Sequence, residues 1–238
     1  AIWTDEEKPW ANLIRVAGVD GKEETFQQRE YWVDPHSEAV WQYNAMIAKE
    51  LQDRGIDEIQ FDYIRFPSDG DLSETVYRHK RSDMTKVDAI ESFLRFAREI
   101  VAVPISTDLY GFNSWYRMGN WIGQNIDVVA DYVDVISPMF YPSHFPSTFM
   151  NDQGFFDRAE SIYLIGGTRA REIVEDRALV RPYVQAFLIG SERKFEEPEY
   201  AAYLSRQLDG VIDSGASGFA LWNASNIYYM VTRPLTAY

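Results

Sequence analysis

The chain contains no cysteine in 238 residues. Disulfides, thiolate nucleophiles and thiolate-bound metals are therefore excluded. Histidine is scarce. His36, His79 and His144 are the only three, and their spacing fits no zinc-ligand pattern. Basic residues are also few, with 23 Lys and Arg against 37 Asp and Glu, for a formal net charge of −14. A surface this acidic repels phosphate backbones, which argues against nucleic acid as a partner. No apolar run approaches the roughly 20 residues of a membrane span. G-x-S-x-G, P-loop and G-x-G-x-x-G motifs are all missing. The acidic run SDGDLSE (68–74) lacks the spacing of a calcium-binding EF-hand loop and reads as solvated loop. No metal and no cofactor is expected. The first residue is Ala and no signal peptide is visible, so the expectation is a processed or trimmed chain.

Apolar segments and aromatics are what the sequence has. Aromatics make up 15% of it, with 7 Trp and 15 Tyr, enough for a large core or a sugar-binding cleft. Five short apolar segments read as strands, each followed by turn chemistry. They are DEIQFDYIRF (57–66), VPISTDLYG (103–111), VDVISPMFYP (133–142), LVRPYVQAFL (179–188) and GFALWNAS (218–225). Near-continuous apolar character is what strands covered on both faces require. Helical patterns separate most of them. Residues 37–55 suit a helix with Ser37 as N-cap and Gly55 at its exit. Residues 86–101 place Val87, Ile90, Phe93, Leu94 and Ala97 on one face, and 199–215 form a third helix. The alternation predicts parallel β/α units in one domain spanning 1–238. A closed (β/α)₈ barrel needs eight strands, and only five are convincing. Residues 1–36 offer one short candidate, ANLIRVAG (11–18). Either the sheet is open, or the start of a barrel is missing.

In parallel α/β architectures, chemistry gathers at the carboxyl ends of strands. Those ends supply Asp62, Tyr63 and Arg65; Asp108 and Tyr110; Tyr141 and His144; Gln185; and Trp222, Asn223 and Asn226. Two carboxylates among aromatics, amides and a cation suit glycoside hydrolysis. That reaction uses one carboxyl to attack or activate water and a second to protonate the leaving oxygen. Bland roles compete. An Asp at a strand end also serves as a cap, and Arg65 also suits an ion pair with a helix carboxylate. His144 also suits a structural hydrogen bond, and Trp222 a core position. The other six Trp read as packing.

The stretches WVDPHSEAVWQYN (32–44), GIDEIQFDYIRFPSDG (55–70), VPISTDLYG (103–111), IGQN (122–125), YVDVISPMFYPSH (132–144), RPYVQAF (181–187) and GASGFALWNASNIY (215–228) carry a resemblance. From about residue 31 to 228, the chain resembles the bacterial glycosyl hydrolase domain family of the TIM-barrel glycosidase superfamily. The resemblance implies a TIM (β/α)₈-type barrel in which the five strands match the fourth to eighth. The three N-terminal β/α units would then be absent, and a partner segment or chain would complete the barrel. It implies an Asp nucleophile at the end of the fourth strand, where Asp62 stands. Asp108, at the end of the fifth, replaces the Glu of amylase-like relatives as acid/base. The implied substrate is a polysaccharide or oligosaccharide, and the implied setting is extracellular or at the cell envelope. A non-catalytic carbohydrate-binding barrel is the alternative. An enzyme of phosphorylated metabolites is disfavoured, because AFLIGSERKF (186–195) and NASNIYY (223–229) are not Gly-rich phosphate cradles.

Overall fold

The computed structural model describes residues 10–19, 22–68, 72, 75–116 and 119–234. They fall into two compact units. The first comprises the described residues of Ala1–Ile59, Tyr63–Val103 and Met118–Asn125; the second comprises those of Gln60–Asp62, Pro104–Arg117 and Ile126–Tyr238.

The first unit contains a β-hairpin, β1 (Trp10–Val19) and β2 (Lys22–Val33), paired antiparallel from Trp10↔Val33 to Val19↔Lys22. The sequence offers one short strand candidate here, 11–18, and the structure has two strands. Asp20-Gly21, between them in the sequence, is a strong short hairpin signal. These strands pair with each other and not into the parallel sheet. Helix α1 (Glu38–Asp53) follows Ser37, whose backbone carbonyl accepts from the Val40 and Trp41 amides; its side chain makes no cap bond. Trp41, Ala45 and Ala48 form its buried face. Gly55 exits with φ +93, a conformation open to glycine at little cost. Helix α2 (Lys86–Ile100) opens with a Thr85–Asp88 capping box and buries Ala89, Ile90, Phe93, Leu94 and Ala97. A one-turn helix, α3 (Gly119–Ile122), completes the unit. Nearby, buried Asp34 accepts hydrogen bonds from the His36 amide, His36 Nδ1 and the His79 amide, each at 3.0 Å. Most of SDGDLSE lies outside the described residues.

The sheet consists of β3 (Ile59–Phe61), β4 (Ile105–Tyr110), β5 (Val135–Met139), β6 (Leu179–Val180), β7 (Tyr183–Gln185) and β8 (Ala220–Trp222). Its order is β3-β4-β5-β7-β8, with β6 also on β5, and the β4–β5, β5–β6, β5–β7 and β7–β8 pairs are parallel. All five expected strands are thus in one sheet, in the expected order. Among the described residues the sheet does not close: β3 and β8 end its path. The fold is α/β, a partial barrel of TIM type. The run 179–188, expected as one strand, splits into β6 and β7 at Arg181-Pro182, where proline has no amide to give to the ladder.

Helices α4 (Ile126–Val129), α5 (Phe155–Val174) and α6 (Glu197–Asp213) belong to the second unit. Its core joins Phe140 and Val184 to Ala159, Ile162 and Tyr163 of α5 and to Tyr203, Leu204, Leu208 and Val211 of α6. Glycine sets the closeness of α5 and α6, since a Cβ on Gly210 would fall on the Glu160 carbonyl oxygen. Helix α5, the longest, had no counterpart in the sequence reading. Its Gly166-Gly167 pair looks like a break, yet both are buried. A Cβ at Gly166 would lie 2.7 Å from Trp115, and one at Gly167 would strike the Ser214 side chain.

Candidate active site

Side chains in a strand alternate between faces. Gln60 on β3 therefore shares a face with Asp62, which follows the strand directly. On β4, Asp108 stands opposite Ser137 of β5. Gln60 Nε2 donates to Asp108 Oδ1 at 2.6 Å and approaches Ser137 Oγ at 3.3 Å. From β7, the Tyr183 hydroxyl donates to Gln60 Oε1 at 2.9 Å. Four strands thus each give one side chain to a single polar row. Gln60, Ser137 and Tyr183 were missed from sequence, where only the residues at and beyond strand ends were considered. A step of two back from Asp62 would have found Gln60.

Two carboxyls here differ in surroundings. Asp108 is buried and Asp62 is exposed. Burial, and next the negative charge of Asp62, push the Asp108 carboxyl up to about 8; the Gln60 amide and Arg181 pull the other way. A carboxylic acid in this state keeps its proton at neutral pH. Tyr141 lies two residues beyond β5. Its phenol is raised by burial foremost, then by Tyr163, Asp108, Tyr183 and Asp62. Burial raises Tyr183 as well, with Asp108 and Asp62 adding to it. Asp62, Asp108, Tyr141 and Tyr183 thus form one electrostatic cluster at the strand ends.

The other expected site residues divide. Trp222 ends β8, is 43% exposed and meets the Tyr183 ring edge-on at 6.1 Å. His144 is exposed on the loop after β5, its ring 5.3 Å from that of Tyr141. Tyr110 ends β4, and its carbonyl accepts from Asn113 at 3.0 Å. Gln185 is fully buried and saturated. Its Nε2 serves the Phe187 carbonyl and Glu192, while its Oε1 serves Ser143. Asn223 is buried too and staples its own loop, donating to the Ala186 and Ile227 carbonyls and accepting from Ser225. Asn226 is exposed in that loop with φ +56, a conformation asparagine tolerates.

Tyr63 and Arg65 belong to the first unit. Tyr63 has φ +56, so the strand path bends directly after Asp62. The Arg65 guanidinium lies 5.0 Å from the Tyr63 ring centroid and 5.2 Å from that of Trp32. It donates to the Phe66 carbonyl and Ser68 Oγ, both at 3.1 Å. Among the described residues it pairs with no helix carboxylate. No His, Cys, Asp or Glu side chains gather in threes there as they would around a metal ion. No helix among them is long and apolar enough to cross a membrane.

Among solved structures, the chain is similar to the PgaB (BpsB) glycoside hydrolase domain from Bordetella bronchiseptica. The TM-score is 0.54 and the sequence identity 13%, over 93% of this chain and 66% of that chain. At that identity the likeness is one of fold, and this chain spans 66% of its neighbour's length. No curated protein matches the sequence. A family profile does match, over residues 2–228, almost end to end. The strand-end carboxyls, the parallel sheet and that match agree, and the chain belongs to the family described as "Putative glycosyl hydrolase domain".

Proposed function

We propose that this domain hydrolyses glycosidic bonds of a polysaccharide or oligosaccharide, with Asp108 as general acid and Asp62 as the ionised partner. One observation carries the proposal: a buried carboxyl held near 8 beside an exposed carboxylate whose charge helps hold it there. Pairs of carboxyls pushed apart in this way divide acid and base roles. Asp108 delivers its proton to the leaving oxygen. As it ionises, the Gln60 amide donates to the oxygen left charged. Asp62 supplies negative charge to the oxocarbenium-like transition state, as nucleophile or as fixed anion. Trp222 offers an aromatic face to the C–H side of a sugar ring, with Tyr110, Tyr141 and Asn226 around the strand ends. Gln185 and Asn223 shape the loops that carry such contacts. A polymeric sugar substrate fits an extracellular or cell-envelope setting, and the open sheet fits completion of the barrel by a further segment or chain.

The test is incubation with a panel of polysaccharides, products being read by mass spectrometry, for the wild type and Asp62→Asn. The expected outcome is turnover that Asp62→Asn reduces by about 10³-fold or more with unchanged circular dichroism. An active Asp62→Asn protein would end the assignment at this site. The alternative, a barrel that binds carbohydrate without cleaving it, would then lead.

A further inference from the structure

Gln185 ends β7 with both ends of its amide committed. Nε2 lies 2.9 Å from the Phe187 carbonyl oxygen, which can only accept. Oε1 lies 3.2 Å from the Ser143 backbone amide, which can only donate. The orientation of the amide follows from these two contacts alone. The bond from Nε2 to Glu192 Oε2 at 2.8 Å agrees with it, and Glu192 is itself buried and held by the Tyr203 hydroxyl at 3.0 Å.

Ser143 Oγ lies 2.8 Å from the same Oε1. An amide oxygen has no hydrogen to give, so the serine hydroxyl donates to Gln185. That uses the only hydrogen on the serine side chain. Ser143 Oγ also lies 2.9 Å from His144 Nδ1. The hydrogen in this second bond must come from the imidazole. We infer that Gln185 is a positioning residue: through Ser143 it holds His144 as the Nδ1–H tautomer, whose Nε2 lone pair is offered to a hydroxyl group of a bound carbohydrate. The use of that lone pair rests on the glycoside hydrolase reading; the tautomer does not.

The surroundings support the assignment. The imidazole is wedged between the rings of Tyr141 and Phe187, at 5.3 and 5.9 Å and both edge-on, which fixes its plane. The residue is exposed overall, but packing against these two rings partly desolvates the imidazole and lowers its pKa, so the neutral form with one acceptor nitrogen prevails near neutrality. A neutral imidazole with a fixed tautomer tells a donor from an acceptor, as discrimination among sugar hydroxyls and their substituents requires.

Nitrogen-15 NMR of the histidine side chains decides the tautomer without any substrate. The chain has only His36 and His79 besides His144, so the spectrum of His144→Gln assigns the signals. At mildly alkaline pH, the wild type is expected to show His144 protonated at Nδ1 and bare at Nε2. Ser143→Ala removes the acceptor and should move the proton to Nε2 in a large fraction of molecules. Wild-type His144 protonated at Nε2 overturns the inference. An Nδ1–H tautomer that persists in Ser143→Ala overturns the role of Ser143 and Gln185. In kinetics, Ser143→Ala should raise KM about fivefold to tenfold with kcat within about twofold, the loss expected for one binding hydrogen bond. An unchanged KM removes the sugar contact while leaving the tautomer result intact. A wild type without hydrolytic activity would instead count against the function, and the spectrum would still decide the tautomer.

Discussion

Ionising Asp108 costs stability, and the cost has a defined pH window. Its carboxyl is raised from 3.8 to about 8. Between those values the unfolded chain has released this proton while the native state keeps it. The native state then binds more protons, so stability falls as pH rises through the window and levels off above about 8. With about 1.36 kcal/mol per unit, the contribution lost between about pH 5 and about pH 9 is at most roughly 4 kcal/mol. Water entry and local relaxation on ionisation reduce it, giving an expected loss of about 2–4 kcal/mol. Asp108→Asn keeps the shape and removes the titration. Urea unfolding of both proteins, followed by tryptophan fluorescence across this range, gives the comparison. His144 and Glu192 also titrate with shifted values, but they are common to both proteins and cancel in the difference. The wild type should lose about 2–4 kcal/mol more than Asp108→Asn on going from acid to alkali. A difference constant to within about 0.5 kcal/mol would refute the reasoning, and with it the acid role. Activity should show an alkaline limb near 8 in the wild type.

Two further outcomes follow from the contacts. Gln60→Leu removes the amide that favours ionised Asp108, so the alkaline limb should rise by about half to one pH unit. Tyr183→Phe should raise it similarly, because Gln60 is then released to turn its Oε1 toward the Asp108 proton; the double variant should go no further, and additive shifts would show that Tyr183 acts independently. In the core, Gly210→Ala sets a helix-propensity gain of up to about 1 kcal/mol against a clash with the Glu160 carbonyl oxygen. The clash should win, with a net destabilisation of about 1–3 kcal/mol in urea unfolding. A more stable Gly210→Ala would mean that α5 and α6 separate at little cost.

Periodicity carried the legible part of the fold. Strands covered on both faces are largely apolar, so the segments 103–111 and 133–142, which hold the buried strands β4 and β5, stood out as short apolar runs; 218–225 stood out with them, although β8 within it is only partly covered. The losses lie where a residue type has two meanings. Gly166-Gly167 reads as a helix breaker, yet it stands inside α5 because Trp115, Phe140 and Ser214 need the room a side chain would occupy. The segment 57–66 reads as a ten-residue strand, but only 59–61 pairs. The positive φ of Tyr63 ends the pleat, and nothing in the letter Tyr announces it.

The same ambiguity governs the polar residues of the candidate site. Carboxylates at strand ends drew notice because a carboxyl next to a buried apolar strand needs partners or a shifted protonation state to be tolerated there. Amides carry no such cost, since they are satisfied equally well by a sugar or by the protein itself. Sequence therefore could not tell Gln185 and Asn223, whose hydrogen bonds are spent on Ser143, Glu192 and their own loops, from an amide that faces substrate. It was silent on Gln60 for the complementary reason. An amide in the interior of a strand looks like a solvated position, until the neighbouring strand places Asp108 2.6 Å away. What decides between these roles is the partner across the sheet. Pairing of β3 with β4 and of β5 with β7 is a long-range fact of the fold, and it makes Gln60 a partner of the candidate acid and Gln185 the support of a loop.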